Sequence, residues 1–456
     1  MPIAFSIKVA FSVLFIILYT FVLGDGNLSE DAGVFMRESK MLRDVASESP
    51  SAYMKFMTGI GEDIALVKKH LPETSHWDLG VQTIVNDNKN ILRVHSLIQF
   101  ISFNSPMIHA IILSLIALLG IKQLFHAGRI LTNIKENYIF WGILLLPSLL
   151  FWTSSILKEP FMILGLGLLF RGLFDPSLNR KSLWYGIIGV IVLLLFKPYV
   201  LLAIIPTLFF FFIAQFLPKR KIIGSIGILS LLFITILLVF KGPREKSLQI
   251  ISRKQLDFIN VAKGGIHVYA DTVFYYFSPE QIPELEIRND SVSIKRDINA
   301  QILKLGQIDD PIDVRLKADN NAWPIYFMND RSNGYIELNK INNSGAQLIK
   351  NIPEALINAL FRPTPIDPGG KLNYVAFLET LLIFGFLVWS ILKRATLSES
   401  NRVILVGLII FAASISLIIG WVTPVVGAIA RYRIPVYVAL LFIAGLLFNP
   451  KSRTNE

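Results

Sequence analysis

The 456-residue sequence contains no cysteine. This absence excludes disulfide bonds, thiolate metal sites and a cysteine nucleophile. Charged residues are also scarce, at 17% of the chain, whereas soluble domains average about 25%. Because 53% of the residues are hydrophobic, the low charge argues against a soluble globular protein.

The apolar residues are grouped in runs of about twenty, the length that crosses the hydrocarbon core of a bilayer. These runs predict an all-α polytopic membrane protein with about ten transmembrane helices. The first run lacks a small-x-small cleavage site after it, so we interpret it as a retained span rather than a signal peptide. The predicted spans cover residues 5–24, 105–125, 138–156, 160–175, 182–197, 199–217, 222–241, 374–392, 403–423 and 434–448.

The spans divide the chain into a series of membrane and polar regions. A first span is followed by an extracytoplasmic loop, a six-span core, an extracytoplasmic lobe between spans seven and eight, three further spans and a cytoplasmic tail. These regions cover residues 1–24, 25–104, 105–241, 242–373, 374–448 and 449–456 respectively.

The net charge of +11 reflects membrane topology rather than a nucleic-acid partner, because the Lys and Arg residues lie at the ends of apolar runs. One set of short connections, together with the C-terminal tail, carries fourteen basic residues, and the opposite set carries four. By the positive-inside rule, both termini are expected in the cytoplasm and both long polar segments outside it. We therefore expect a multi-pass protein of the cytoplasmic (inner) membrane.

The two long polar segments have the patterns of folded structure. In the first, apolar residues recur at helical spacing after Ser29, a candidate N-cap, and again over residues 53–71 and 91–103. Helices of this kind between two spans often lie in the membrane interface. In the second segment, a helix is predicted over residues 352–361.

An acidic cluster, Asp25, Glu30 and Asp31, follows the first predicted span. A carboxylate at this position could act as a general base on an acceptor hydroxyl, with Asp31 and Glu30 as the catalytic candidates. The cluster could instead hold a divalent cation that bridges a phosphate. In the structural alternative, Glu30 and Asp31 only complement a helix dipole.

Three polar side chains stand in turns that are predicted to face the same side. Lys158 and Glu159 lie between the third and fourth spans, and Lys197 lies between the fifth and sixth. Ionisable residues at such positions are costly and are candidates for function. The alternatives are an interfacial salt bridge for the first two and a snorkelling side chain for Lys197.

Two arginines stand against the charge bias just before the last span. Arg431 and Arg433 flank Tyr432 on the side that should be poor in basic residues, which indicates a bound anion such as a phosphate. Arg362 precedes the eighth span and could join this cluster. The alternative is a local ion pair with acidic residues of the loops.

Four stretches of the chain together resemble the GT-C class of membrane glycosyltransferases and related surface-polysaccharide polymerases. Residues 31–42 resemble an Asp-Ala-x-x-Tyr stretch after span one, with Phe35 in place of the tyrosine. Residues 151–159 resemble a Phe-Trp-Ser-Ser-Gly-x-x-Lys-Glu run, with Ile156 in place of the glycine. Residues 431–435 resemble Arg-Tyr-Arg-x-Pro. The fourth stretch is Phe361-Arg362-Pro363 with the later Glu379.

The resemblance implies transfer or polymerisation of sugars from a polyprenyl-phosphate-linked donor on the extracytoplasmic face, in cell-surface polysaccharide biosynthesis. It implies that Asp31 is the general base or an acid beside a metal, and that Lys158, Arg431 and Arg433 hold the lipid-linked phosphate. Partners would be the lipid-linked sugar, the bilayer and other polysaccharide-assembly proteins. Alternatives are a flippase or transporter for lipid-linked glycans and a non-catalytic membrane scaffold subunit.

Overall fold

A computed structural model describes residues 1–72, 74–77, 84–132, 134–175, 177, 179–216, 224, 228, 241–270, 273–288, 290–304, 312–394 and 396–448. The helices, in chain order, are α1 (Pro2–Ile17), continued by a π-helical turn (Leu18–Val22), α2 (Glu30–Glu48), α3 (Pro50–Thr58), α4 (Ile64–His70), α5 (Asp87–Ser102), α6 (Pro106–Leu131), α7 (Glu136–Leu144), α8 (Pro147–Trp152), α9 (Glu159–Phe174), α10 (Arg180–Phe196), α11 (Pro198–Phe216), α12 (Lys241–Lys263), α13 (Gly345–Lys350), α14 (Ile352–Phe361), α15 (Leu372–Leu392), α16 (Glu399–Val422), α17 (Val426–Tyr432) and α18 (Ile434–Leu447).

The expectation of a multi-pass membrane protein agrees with the helices, but the expected number of spans is not supported. Within the described residues, five helices are long and apolar enough to cross a membrane: α1 with its π-helical turn, α6, α11, α15 and α16. The α17–α18 pair, bent by 48°, makes a sixth if it is counted as one span.

The difference arises from helix length and from chain breaks. Helices α9 and α10 have 16 and 17 residues, so each is about 25 Å long, less than the roughly 30 Å of a hydrocarbon core. The predicted span 138–156 is split into α7 and α8 at Pro147, which lacks the N–H that a continuous helix needs. The predicted span 222–241 lies almost entirely outside the described residues, as does the tail 449–456.

The segment after the first span is helical, as its apolar spacing predicts. Ser29 precedes α2, although its hydroxyl donates to the Tyr19 carbonyl oxygen rather than capping the helix. The predicted helix over 53–71 is two helices, α3 and α4, because the chain turns at Gly59 and Gly61, both at positive φ. These helices share an apolar core with α1, α6 and residues Ile156 and Leu157.

The expectation of an all-α fold is wrong for the second polar segment, which contains a seven-stranded antiparallel sheet of order β3-β4-β7-β1-β2-β5-β6. Its β-branched and aromatic residues fit a pleated surface better than a helix. The strands are β1 (Gly265–Ala270), β2 (Val273–Phe277), β3 (Leu285–Arg288), β4 (Ser291–Ile294), β5 (Ile298–Lys304), β6 (Ile312–Leu316) and β7 (Asp319–Asn329). The predicted helix over 352–361 is confirmed as α14.

The segment that follows β7 is connected to the helical bundle by backbone hydrogen bonds. The Ile336 amide donates to the Pro424 carbonyl oxygen at 2.7 Å, and the Val426 amide donates to the Gly334 carbonyl oxygen at 3.0 Å. Because Val426 begins α17, the lobe is attached directly to the helix that carries Arg431.

Candidate functional site

The structure brings together residues from four breaks between helices. Asp31 lies at the start of α2, Glu159 at the start of α9, Lys197 between α10 and α11, and Arg431 in the last turn of α17. Each break is short, and Pro198 begins α11 because a proline is well tolerated in the first turn of a helix. Side chains that are far apart in the sequence therefore meet in one place, which we call the Asp31–Arg431 cluster.

The central contact of the cluster is an ion pair between residues 400 positions apart. Arg431 Nη1 donates to Asp31 Oδ2 at 2.9 Å, and Arg431 Nη2 donates to the Tyr432 hydroxyl at 3.0 Å. The Asp31 side chain remains 42% exposed, whereas that of Arg431 is 15% exposed. The carboxylate is therefore held in place and is still accessible to a substrate.

Glu159 and Lys197 form the buried side of the cluster. Lys197 Nζ donates to Glu159 Oε1 at 2.7 Å, and both side chains are almost fully buried. Arg431 Nε lies 3.5 Å from the same Glu159 oxygen, but it is buried and donates no hydrogen bond among the described residues. Glu159 therefore balances the charges of two cations, Lys197 and Arg431.

Lys158 contacts two residues that the sequence analysis did not single out. Its Nζ lies 2.5 Å from Asp87 Oδ2 and 2.5 Å from Asn88 Oδ1. Both partners lie in the first turn of α5, after Asn86, whose side chain caps the helix. The Asn-Asp-Asn run marks a helix start, but nothing local in the sequence indicates that its side chains meet Lys158.

The polar stretch before Lys158 lies inside the protein. Thr153, Ser154 and Ser155 are fully buried, and each hydroxyl donates to a backbone carbonyl oxygen of the preceding turn. These bonds satisfy the polar groups, so the segment can lie inside the protein. Thr153 also accepts a hydrogen bond from the buried Lys8 ammonium of α1 at 2.6 Å.

Aromatic rings surround the charged side chains. The Arg431 guanidinium lies 5.8 Å from the centre of the Trp152 ring and 4.9 Å from that of Tyr432. Lys197 Nζ lies 4.9 Å from the centre of the Tyr432 ring, and Lys158 Nζ lies 5.7 Å from that of Phe35. Flat apolar walls with a few fixed polar groups are typical of small-molecule sites.

The predicted anion-binding residues Arg433 and Arg362 do not join the cluster. Arg433 is fully buried and donates to the backbone carbonyl oxygens of Arg362 and Ala376. Arg362 instead forms an ion pair with Asp367 at 3.0 Å. Arg433 therefore stabilises the connection into α15, which is a structural role in this arrangement.

Glu379 is also separate from the cluster. Its carboxylate accepts hydrogen bonds from the backbone amide and hydroxyl of Ser148. Glu379 lies in α15 and Ser148 in α8, so the contact joins two helices of the bundle.

The acidic residues near Asp31 have different surroundings. Asp25 and Glu30 are exposed, and both have positive φ, at 45° and 54°, a conformation that is rare and strained for residues other than glycine. Among the described residues no three His, Asp or Glu side chains are grouped as a metal site requires. Asp31 is bonded to a cation of the protein instead.

The carboxyl groups at the site differ in how their surroundings shift the pKa. Burial opposes the ionisation of Asp31, but the Arg431 guanidinium, helped by His76 and Lys158, outweighs it and lowers the pKa of Asp31 to about 2. Desolvation and the neighbouring Asp31 carboxylate raise the pKa of Glu30. Burial also opposes ionisation of Asp87, and Lys158 outweighs it, so the pKa of Asp87 is lowered.

The cluster can stabilise negative charge and accept a proton at adjacent positions. The Arg431 guanidinium carries the positive charge, and the partly exposed carboxylate of Asp31 lies beside it. Comparison of the chain with protein-family models, curated proteins and solved structures gives no match.

Proposed function

We propose that the chain transfers or polymerises sugars from a polyprenyl-phosphate-linked donor on the extracytoplasmic face of the cytoplasmic membrane, in cell-surface polysaccharide biosynthesis. The observation that carries this proposal is the accessible Asp31 carboxylate held 2.9 Å from the Arg431 guanidinium. A proton acceptor and an anion-stabilising donor side by side are what glycosyl transfer from a phosphate requires.

In the proposed reaction, an acceptor hydroxyl attacks the anomeric carbon of the donor sugar and loses its proton to Asp31. The bond between the anomeric carbon and the phosphate oxygen breaks, and the lipid phosphate leaves with the electron pair. Arg431 stabilises the charge that grows on that phosphate. Lys158 can also stabilise that charge if its ammonium leaves Asp87 and binds a phosphate oxygen, since an ammonium binds either anion.

Donor binding would also activate the base. While Arg431 holds Asp31, the pKa of Asp31 is about 2, which makes the carboxylate a weak base. A phosphate that takes hydrogen bonds from Arg431 weakens this contact and adds negative charge nearby, and both effects raise the pKa of Asp31. The acceptor hydroxyl would then be deprotonated only when the donor is present.

The membrane arrangement in this proposal follows the sequence. The shorter helices α9 and α10, the α7–α8 pair and residues 222–241 would also cross the bilayer, giving about ten spans with both termini in the cytoplasm. Packing of α9 between α6 and α10 supports this. The Asp31–Arg431 cluster would then face outward, where the lipid tail of the donor can remain in the bilayer while its sugar reacts.

The test is the lipid-linked glycan pool of a strain that lacks the chain, rescued with wild type, Asp31→Asn or Asp44→Asn. Asp44 is the control because it lies on the same helix, with a side chain 48% exposed. We expect the wild type and Asp44→Asn to clear accumulated intermediates. Asp31→Asn should lose transfer by about 10²- to 10⁴-fold, the usual contribution of a general base.

Mass spectrometry of the accumulated glycan separates two forms of the proposal. A complete repeat unit indicates a polymerase, and a unit that lacks one sugar indicates a single-sugar transferase. An unchanged lipid-linked pool in the strain without the chain would contradict glycosyl transfer. Full rescue by Asp31→Asn would contradict the role of Asp31.

A further inference from the structure

A cleft of about 600 Å³ lies between α12 and the sheet of the lobe. The floor of the cleft is formed by side chains of β2, β5 and β6, and the pairing of these strands determines which side chains lie next to one another. Tyr276 on β2 pairs with Gln301 on β5, which pairs with Asp313 on β6. Asn299 and its partner Arg315 lie two residues further along the same strands. Because side chains alternate across a strand, all five project from one face.

This face is not the core of the lobe. The opposite face carries the buried apolar cluster, which includes Ile298 and Ala300 of β5. These residues alternate with Asn299 and Gln301, so β5 separates an apolar side from a polar one. The polar side is turned toward α12, because the Tyr276 hydroxyl donates to the Gly264 carbonyl oxygen at 2.9 Å, just after that helix ends.

A buried amide in the cleft has an unused hydrogen-bond donor. Asn260 of α12 lines the cleft and is only 4% exposed, yet its Nδ2 has no hydrogen-bond acceptor among the described residues. Buried polar groups in native proteins nearly always have partners, and an unpaired group needs an explanation. A ligand in the cleft that carries hydrogen-bond acceptors would explain the unpaired Asn260 amide.

The charge of the lining favours an anionic ligand. Among the described residues that line the cleft, three are cationic, Lys263, Arg315 and Lys340, and one is acidic, Asp313. Arg315 is 75% exposed and lies 3.6 Å from Asp297, a contact too weak to hold the guanidinium away from a ligand.

We propose that this cleft binds an acidic oligosaccharide, a glycan that carries carboxylate groups, as the acceptor or growing product of the proposed transfer. Amides and a tyrosine hydroxyl provide the donors and acceptors that a hydroxyl-rich ligand needs, and the cations bind its carboxylates. A peptide added as a strand would pair with the backbone at the free edge of β6, whereas these side chains project from the sheet face. The inference rests on the proposed function for the identity of the ligand as substrate.

The attachment of the lobe supports this role. The backbone bonds between Gly334–Ile336 and Pro424–Val426 fix the lobe to the start of α17, and Arg431 lies in the last turn of that helix. A glycan held by the lobe is therefore held by a part of the chain that is hydrogen-bonded to the helix that carries the guanidinium.

The test measures binding of trigalacturonate to the full chain in detergent, with maltotriose as the neutral sugar and a tri-glutamate peptide as the acidic peptide. Arg315→Ala and Gln301→Ala should each weaken trigalacturonate binding at least tenfold. Arg296→Ala is the matched control, since Arg296 is 80% exposed, lies 3.7 Å from Glu284 and is absent from the cleft lining. It should leave binding unchanged.

The outcomes separate this inference from the proposed transfer. We expect maltotriose and the peptide to bind at least tenfold more weakly than trigalacturonate, and Asp31→Asn to bind it normally while transfer is lost. Equal trigalacturonate binding by Arg315→Ala, Gln301→Ala and wild type would overturn the cleft assignment and leave the Asp31 result untouched. Preference for the peptide would overturn the choice of a glycan. Normal binding with no effect of the chain on lipid-linked glycans would contradict only the transfer.

Discussion

Individual charged residues in this chain were recognisable from the sequence, but their partners were not. Asp31, Glu159, Lys197 and Arg431 stand at the ends of apolar runs, where an ionisable group is costly. Which of them meet depends on helix packing, and the Asp31–Arg431 pair joins residues 400 positions apart. Arg433 has the same local sequence signal as Arg431, yet it binds backbone carbonyl oxygens.

The same limit applies to residues that were overlooked. Asp87 has no distinctive local signal, because an acidic residue in the first turn of a polar helix is common and is explained by the helix dipole. Its contact with Lys158, at 2.5 Å, requires α5 to pack against the segment that precedes α9. No spacing rule within either stretch contains that information.

The acid side of the pH profile tests the Asp31–Arg431 contact. With its pKa lowered to about 2, the Asp31 carboxyl of the free enzyme is ionised at every pH above that value. Transfer at low donor concentration, which reports the free enzyme, should therefore show no loss from Asp31 protonation between pH 8 and pH 4. In Arg431→Gln the guanidinium no longer offsets the effect of burial, so the pKa of Asp31 rises.

We expect the residual transfer of Arg431→Gln to fall with decreasing pH in a range where the wild type shows no loss from Asp31 protonation. The measurement is the initial rate in membranes that contain the native donor. Arg43→Gln is the control, because Arg43 lies on the same helix as Asp31 but pairs with Asp44 at 2.7 Å. Parallel profiles for Arg431→Gln and wild type would show that Arg431 does not control Asp31.

At the scale of elements, apolar spacing predicted helices well and spans poorly. The helices around the first loop and α14 lie where the pattern places them, because a 3.6-residue period reports one buried face. Composition could not reveal the break before Pro147 or the short lengths of α9 and α10. In a protein with buried helix ends, apolar runs overestimate the length of the regular helix.

The sheet of the lobe was missed for a related reason. Its strands are short, from 4 to 11 residues, and β5 and β6 carry polar residues on the face turned toward α12. Short strands with mixed polarity resemble loops, because alternation over a few residues is a weak signal. Pairing between distant strands, such as β1 with β7, stabilises them and is not encoded locally.

The contact between α6 and α9 depends on glycine, so a larger residue there should destabilise the protein. A Cβ atom at Gly167 of α9 would lie 2.4 Å from the Gly120 carbonyl oxygen of α6, so the two backbones touch. Small residues of this kind permit close packing of membrane helices. Gly167→Ala should force the helices apart and destabilise the protein by about 1–3 kcal/mol, the usual cost of overpacking.

Gly186→Ala is the matched control for this prediction. Gly186 is also a helical glycine, in α10, but an added Cβ there would meet nothing within 4 Å. Alanine should leave stability unchanged or increase it by up to about 1 kcal/mol through helix propensity. Thermal unfolding in detergent is the measurement. Equal midpoints for Gly167→Ala and wild type would show that α6 and α9 do not pack this closely.

For the whole molecule, the sequence predicted a multi-pass membrane protein, and the apolar helices agree with this class. The class follows from the hydrophobicity of long segments, which sums over many residues and tolerates local errors. The arrangement of the parts follows from particular contacts, such as the backbone bonds between Gly334–Ile336 and Pro424–Val426. The sequence therefore indicates which parts exist, and packing determines how the lobe lies against the bundle.

The orientation in the membrane can be tested directly with single-cysteine variants, because the sequence contains no cysteine. Lys317 is exposed in the lobe, and Ser177 is exposed between α9 and α10, beside Arg180 and Lys181. The positive-inside rule predicts that the lobe lies outside and that the Ser177 loop lies inside. In intact spheroplasts, a membrane-impermeant maleimide should label Lys317→Cys and should reach Ser177→Cys only after the membrane is opened. The reverse pattern would invert the topology and place the Asp31–Arg431 cluster on the opposite side from the proposed donors. Labelling of both variants in intact spheroplasts would place residues 177 and 317 on the same side of the membrane and contradict the predicted order of spans.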